Sequence, residues 1–273
     1  MRLIPLLFLA ATMATAPVLV HGQDQNESAS RPLSEIFDRM EEEALRKATK
    51  YQEGVDASEA GEHKVALEIF QSLARNGYAE AQHQLGQIYY NGNGVEQSYG
   101  KAFYWYQTAA KQGHSTAQLR LAEMYEISRG LFMKRLPESE NIPKDDRMAA
   151  KWYRKSAEQG NAIAQGNLAG MYFDGRGLDR NFSKAAKWCK KAAIQGNHAA
   201  QLSLGTMYRE GIGVPQNFIN AYILYNLGAI NQSIEIRNVR DQIAEKLTPD
   251  QLAEAQRLSL KWEVGEPLPL QGG

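Results

Sequence analysis

One cysteine, Cys189, stands in the 273 residues, so no internal disulfide is possible. Neither sign of charge is in excess, since 31 basic side chains stand against 31 acidic ones. Nucleic acid and anionic lipid both require a concentrated basic face, and neither is expected as a partner. After residue 20 no apolar run approaches the length that spans a bilayer. His63, His83, His114 and His198 fall at scattered positions without an H-x-x-x-H pair, so a shared metal site is not expected. No cofactor motif is present either. The Gly-x-Gly pairs recur at a fixed interval, which makes them turns and not phosphate loops.

The first 22 residues differ from the rest. Arg2 supplies a positive start, Leu3 to Val20 is almost wholly apolar, and no acid precedes Asp24. This is the order of a secretory signal peptide, with Val20 and Gly22 at the −3 and −1 positions of the cut. Pro5, Pro17 and the polar stretch after Gly22 favour cleavage over an uncleaved anchor. Residues 1–22 are therefore expected to leave, and residues 23–31 to form a flexible mature start. A protein exported without disulfides fits a bacterial periplasm better than the extracellular space.

The internal repeat decides the fold. Ala81-Gln82, Ala117-Gln118, Ala164-Gln165 and Ala200-Gln201 recur at spacings of 36, 47 and 36 residues. Four residues on stand Leu85, Leu121, Leu168 and Leu204, then Tyr89, Tyr125, Tyr172 and Tyr208. A second block repeats Ala102, Ala149 and Ala185, then Trp105, Trp152 and Trp188, and ends on Gly113, Gly160 and Gly196. In each unit Ala, Leu and Tyr at four-residue spacing make one apolar stripe of a first helix. Gly92/Gly94, Gly175/Gly177 and Gly211/Gly213 permit the left-handed backbone that reverses the chain. Ala102, Trp105, Tyr106, Ala109 and Ala110 form one face of the second helix. A single hairpin cannot bury both its faces, so neighbours must stack.

These residues resemble the Sel-one-like repeat family, a relative of the tetratricopeptide repeats. Its pattern A-x-x-x-L-G-x-x-Y-x-x-G-x-G-V, then K-A-x-x-W-Y-x-K-A-A-x-x-G, is met by residues 81–113 almost position by position and by 164–196 nearly as well. The resemblance implies an all-α protein, a right-handed α-solenoid of stacked hairpins, with four repeats over 79–232 (81–116, 117–163, 164–199 and 200–232). Residues 32–78 read as a capping helix, with the stripe Leu33, Ile36, Phe37 and Met40, and a looser tetratricopeptide-type leading repeat. Residues 233–264 read as closing helices. The last of these starts at Thr248-Pro249-Asp250-Gln251, an N-cap with Pro at the first helical position and a capping-box Gln. Gly265, Pro267 and Pro269 predict a flexible tail over 265–273. The 11 extra residues of the second matched unit predict a loop over 128–143.

Catalytic signatures are sparse. Some relatives of the family are penicillin-binding or weakly β-lactamase-like, which makes S-x-x-K the motif to weigh. Ser98-Tyr99-Gly100-Lys101 has that form, yet no S-D-N or K-T-G accompanies it, and Ser98 falls where a second helix begins, a natural N-cap. Cys189 takes the place of a core Tyr and reads as a small buried hydrophobe. No catalytic residue is assigned, and the chain is not read as an enzyme.

What remains is surface. By analogy with tetratricopeptide solenoids, positions two, six, nine and ten after each starting Ala face the inner curve. These are His83, Gln87, Tyr90 and Asn91, then Glu123, Glu126 and Ile127, then Phe173 and Asp174, then Thr206, Arg209 and Glu210. They change freely while the core positions stay fixed, as a binding surface on a constant scaffold would. The insertion adds an apolar cluster beside two bases, Leu131, Phe132, Met133, Lys134 and Arg135. The expected function is a non-catalytic exported scaffold for protein partners in the cell envelope, an adaptor or regulator. The alternatives are a glycan or peptidoglycan binder, with Tyr90 and Phe173 as stacking residues, and a weak penicillin-binding enzyme.

Overall fold

The computed structural model describes residues 33–127, 144–229 and 234–271. Among them the regular structure is helical throughout: α1 (Leu33–Glu59), α2 (His63–Arg75), α3 (Ala79–Asn91), α4 (Tyr99–Lys111), α5 (Ser115–Ile127), α6 (Asp146–Glu158), α7 (Ala162–Asp174), α8 (Phe182–Ile194), α9 (His198–Glu210), α10 (Phe218–Gly228), α11 (Ile234–Ala244) and α12 (Pro249–Lys261). Two units are distinguished, Met1–Leu45 and Arg46–Gly273. The expected signal peptide and the 128–143 loop lie outside the described residues.

In the first unit only the start of α1 is described. Phe37 and Met40 are each 61 % exposed, and the side chains of Leu33 and Ile36 lie outside the described residues. Between Leu33 and Gly54 the sequence has no glycine or proline, and α1 runs unbroken to Glu59.

The second unit is an α-solenoid of stacked hairpins, α3/α4, α5/α6, α7/α8 and α9/α10, each helix packed on the next in sequence. The termini explain why the elements stop where they do. Asn161, Asn181, Asn197 and Asn217 each accept a hydrogen bond from a first-turn backbone N–H at 2.8–3.0 Å. Ser98 caps α4 in the same way, accepting from Lys101 N at 3.2 Å. Gly92, Gly175 and Gly211 end the first helices at φ of 76°, 72° and 70°.

Small residues let the helices touch. A methyl added at Gly86 would overlap the Tyr106 ring, and one at Gly177 would run into the backbone of Asp146 and Arg147. Gly177 therefore does more than turn the chain. Its missing side chain lets one repeat close on the first turn of α6 in the repeat before it.

Buried amides set the register of the stack. Gln82, Gln118, Gln165 and Gln201 each donate to a carbonyl in the last turn of the preceding helix, Ala74, Ala110, Ala157 and Ala193, at 3.1–3.2 Å. Gln112, Gln159 and Gln195 then donate to the free oxygens of Gln82, Gln118 and Gln165 at 2.6–2.9 Å. The result is one amide pair per hairpin in α3/α4, α5/α6 and α7/α8, each tied to the last turn of the helix before it. Buried amides are stable in a core when they are paired, and of the four that reach back only Gln201 keeps an oxygen without a partner among the described residues.

The far end closes on α10, against which α11 and α12 pack. Thr248 and Gln251 form the expected capping box at the start of α12. The expected flexible tail is corrected by the structure. Gly265 N donates to Ile194 O at 2.8 Å, Leu268 is buried, and Gln271 is paired with Asn220. The prolines and glycine stop a helix from continuing, but the leucines between them still find apolar surface to cover.

Candidate partner-binding groove

The first helices of the hairpins, α3, α5, α7 and α9, carry all the residues expected on the inner curve. The structure sorts those residues into three groups. His83 is a correction: it is 8 % exposed, its ring stacked on His114 at 4.8 Å and 18°, and it is not presented to a partner. Burial, then His114 and Arg120, lower its pKa from 6.5 to about 4. The histidines are therefore less scattered than their spacing implied.

A second group is tied up internally. Glu126 accepts from the Tyr153 hydroxyl at 2.6 Å and is ion-paired with Arg176, which also pairs with Asp174 at 3.2 Å. Burial, followed by the contact with Glu126, holds the Tyr153 proton well above the usual phenol range. Glu123 pairs with Arg120 at 2.9 Å, and Arg209 with Glu210 at 2.7 Å. Thr206 shares its hydroxyl with Leu202 O and with Tyr225 Oη. Four carboxylates thus meet three guanidinium groups, so most of the charge on these residues is paired off internally.

A third group is open. Gln87 and Tyr90 are half-buried, Asn91 is exposed, and Phe173 is 39 % exposed. Tyr90 meets Tyr99 edge-on at 5.2 Å, and Phe173 meets Phe182 edge-on at 5.1 Å. Ile127 closes α5, and its side chain lies outside the described residues, as do Leu131, Phe132, Met133, Lys134 and Arg135.

A groove of about 460 Å³ runs between α7 and α9. Its origin lies in two residues that have no side chain. At the second and sixth positions of the repeat, α3 carries His83 and Gln87, α5 carries Leu119 and Glu123, and α9 carries Leu202 and Thr206; α7 carries Gly166 and Gly170. A methyl at Gly170 would meet nothing within 4 Å, and one at Gly166 only Asn197 Nδ2 at 3.7 Å. Ala169, Ala185, Cys189 and Met207 form an apolar floor, Ile163 and Phe173 an exposed apolar rim, and Asn167, Asn197 and Ser203 polar edges. An apolar concavity with a few placed polar groups is the general form of a binding site. Burial pushes the Cys189 thiol up to about 11, so it is a thiol and not a thiolate at neutral pH. Among the described residues no three His, Cys, Asp or Glu side chains converge as metal ligands.

The motif Ser98-x-x-Lys101 has a structural role in this setting. Ser98 Oγ caps α4, and the Lys101 ammonium lies 5.2 Å from the centre of the Tyr89 ring.

Comparison with known proteins matches the model described as Sel1 repeat at residues 79–114, 115–161, 162–197 and 198–232. The chain is similar to a Sel1 repeat protein from Oxalobacter formigenes, with a TM-score of 0.63 and 27 % identity over 77 % of this chain and 84 % of that one. It is also similar, at 27 % identity and a TM-score of 0.48, to c5321, a protective antigen present in uropathogenic Escherichia coli strains displaying an SLR fold. That match covers 75 % of this chain and 49 % of the antigen, about half its length. No curated protein matches the chain significantly.

Proposed function

Because the chain belongs to the Sel1 repeat family, we propose that it is an exported scaffold, an adaptor or regulator of the cell envelope, that binds a protein partner in the groove between α7 and α9. The observation that carries the reading is the pair Gly166 and Gly170. They open an apolar cleft at positions that α3, α5 and α9 fill with side chains. Apolar anchors entering such pockets dominate the energy of protein interfaces, while paired charges at the rim contribute little. The internal pairing of Glu123, Glu126, Asp174, Arg209 and Glu210 fits this division. Export rests on the charge and hydropathy pattern of residues 1–22.

Two experiments test the reading. Gly170→Leu places a side chain in open groove space and should leave the melting temperature within a few degrees of wild type. Crosslinked partner recovered from intact cells should fall at least tenfold. Undiminished recovery would remove the groove from the account. Amino-terminal sequencing of the purified protein should begin at Gln23, and retention of residues 1–22 in a membrane fraction would refute cleavage. The exposed Phe173–Phe182 pair supports a second reading, a glycan binder that stacks sugar rings on aromatic faces. Cell-wall fragments that retain the protein, and lose it on Phe173→Ala, would favour that reading over the first.

A further inference from the structure

The segment after α12 is held as a bound peptide would be. Asn220 is 1 % exposed, near the start of α10. Its Nδ2 donates to Gln271 O at 3.0 Å, and its Oδ1 accepts from Gln271 N at 2.7 Å. One buried amide thus reads both main-chain groups of a single residue, which requires no particular side chain there. Three residues earlier Leu268 is buried, and Leu270 packs against the same core. Pro267 and Pro269 flank Leu268, fixing φ and lowering the entropy lost on docking. Gly265 N fastens the other end to Ile194 O at 2.8 Å.

The receiving side departs from the repeat at this position. The residues in register with Asn220 are Lys101, Met148 and Lys184. Lys101 and Lys184 hold their ammonium groups over Tyr89 and Tyr172, at 5.2 and 5.4 Å from the ring centres. Among the described residues α10 alone carries a buried amide at this register position, and that amide holds the docked segment. This surface belongs to a second helix, so it is distinct from the groove formed by the first helices α7 and α9.

We propose that the surface of α10 around Asn220 is a second peptide-binding site. Its ligand is an extended partner segment in which prolines flank an aliphatic residue, and the chain's own residues 263–271 are the resident competitor. The clamp on the main chain supplies attachment without regard to sequence. The pocket of Leu268 and the flanking prolines supply the preference. A tethered segment has an effective concentration in the millimolar range, so the site opens only to a ligand that outcompetes it or when the segment is released.

The probe is a fluorescein-labelled synthetic peptide with the sequence of residues 263–271, followed by fluorescence anisotropy with the full chain. Leu268→Asp should release the resident segment and leave the site vacant, and Gln271→Pro, which removes the clamped N–H, should do so more gently. Saturable binding to either variant is expected, at least tenfold weaker binding to the wild-type chain, and a further tenfold loss when Asn220→Leu is added to the variant. A labelled peptide with Asp in place of the Leu268 position should not bind. Absence of saturable binding to the folded Gln271→Pro chain would overturn the proposal, and so would binding indifferent to Asn220→Leu. Concentration-dependent wild-type dimers dissolved by excess peptide would assign the surface to a second copy instead of a partner.

Discussion

Gln165→Glu separates the role of the buried amide from ordinary packing, because it changes one hydrogen-bonding atom and almost no volume. Gln165 donates to Ala157 O at 3.1 Å and accepts from Gln195 Nε2 at 2.9 Å. A carboxylate keeps the second bond and loses the first, leaving Ala157 O facing an anion in a buried site. Ala157 O keeps its bond from Gly160 N at 3.0 Å, so the lost bond and the repulsion between carbonyl and carboxylate oxygens cost about 1–3 kcal/mol. Desolvation of the charge adds to this and raises the carboxyl above its ordinary value of about 4.3. For a carboxylate raised on folding, the penalty is smallest below the unfolded pKa and grows as pH rises through the folded one. Once protonated, the O–H donates to Ala157 O and the deficit should shrink to about 1 kcal/mol. Urea unfolding followed by far-ultraviolet circular dichroism at pH 4.5 and pH 8, with wild type subtracted at each pH, measures this. Gln216→Glu, which loses only an exposed bond to Arg209 O outside the amide pairs, is the control and should cost under about 1 kcal/mol. Equal deficits at both pH values, or a Gln165→Glu chain as stable as wild type at pH 8, would refute the claim that the amides hold the register.

Acid should weaken the stack between α3 and α4/α5 through His83. Its folded pKa of about 4 lies below the ordinary 6.5, so the unfolded chain takes up the proton first. Stability is complete above pH 6.5 and is lost as pH falls toward 4, by about 3 kcal/mol in all. His83→Phe should flatten that slope in urea titrations, and an unchanged slope would contradict it. Trp152 is buried in the main core, and Trp152→Ala should cost about 3–5 kcal/mol and destabilise the neighbouring hairpins with it; an unaltered melting temperature would show that the ring packs elsewhere.

The repeat and its hairpins were legible because each fixed residue serves a local need. Leu85 and Tyr89 make a stripe, and Gly92 and Gly113 supply positive φ. Contacts between units were legible only in part. Gln82 marks a period in the sequence, but nothing in a single chain says that it reaches Ala74 and Gln112. His83 and His114 meet through nearly the same offset as Gln82 and Gln112, so the amide pairs, once known, would have placed them together. The groove was missed because it is made by side chains that are not there. A helical glycine presents no side chain for a pattern to register, and Gly166 and Gly170 gain significance only beside the filled positions on α3, α5 and α9. The segment after α12 was read from Gly265, Pro267 and Pro269 as loose, since composition reports what ends a helix and not what Leu268 can cover.

Site-specific photocrosslinking in living cells tests the central claim most directly. A benzophenone side chain at Ser203, on the polar edge of the groove, should capture one defined protein. The same group at Lys151, exposed on the second helix α6, should capture none. Filling the groove by Gly170→Leu should abolish the Ser203 adduct while the array stays folded. Adducts of equal yield at both positions, or a Ser203 adduct indifferent to Gly170→Leu, would contradict a partner bound between α7 and α9.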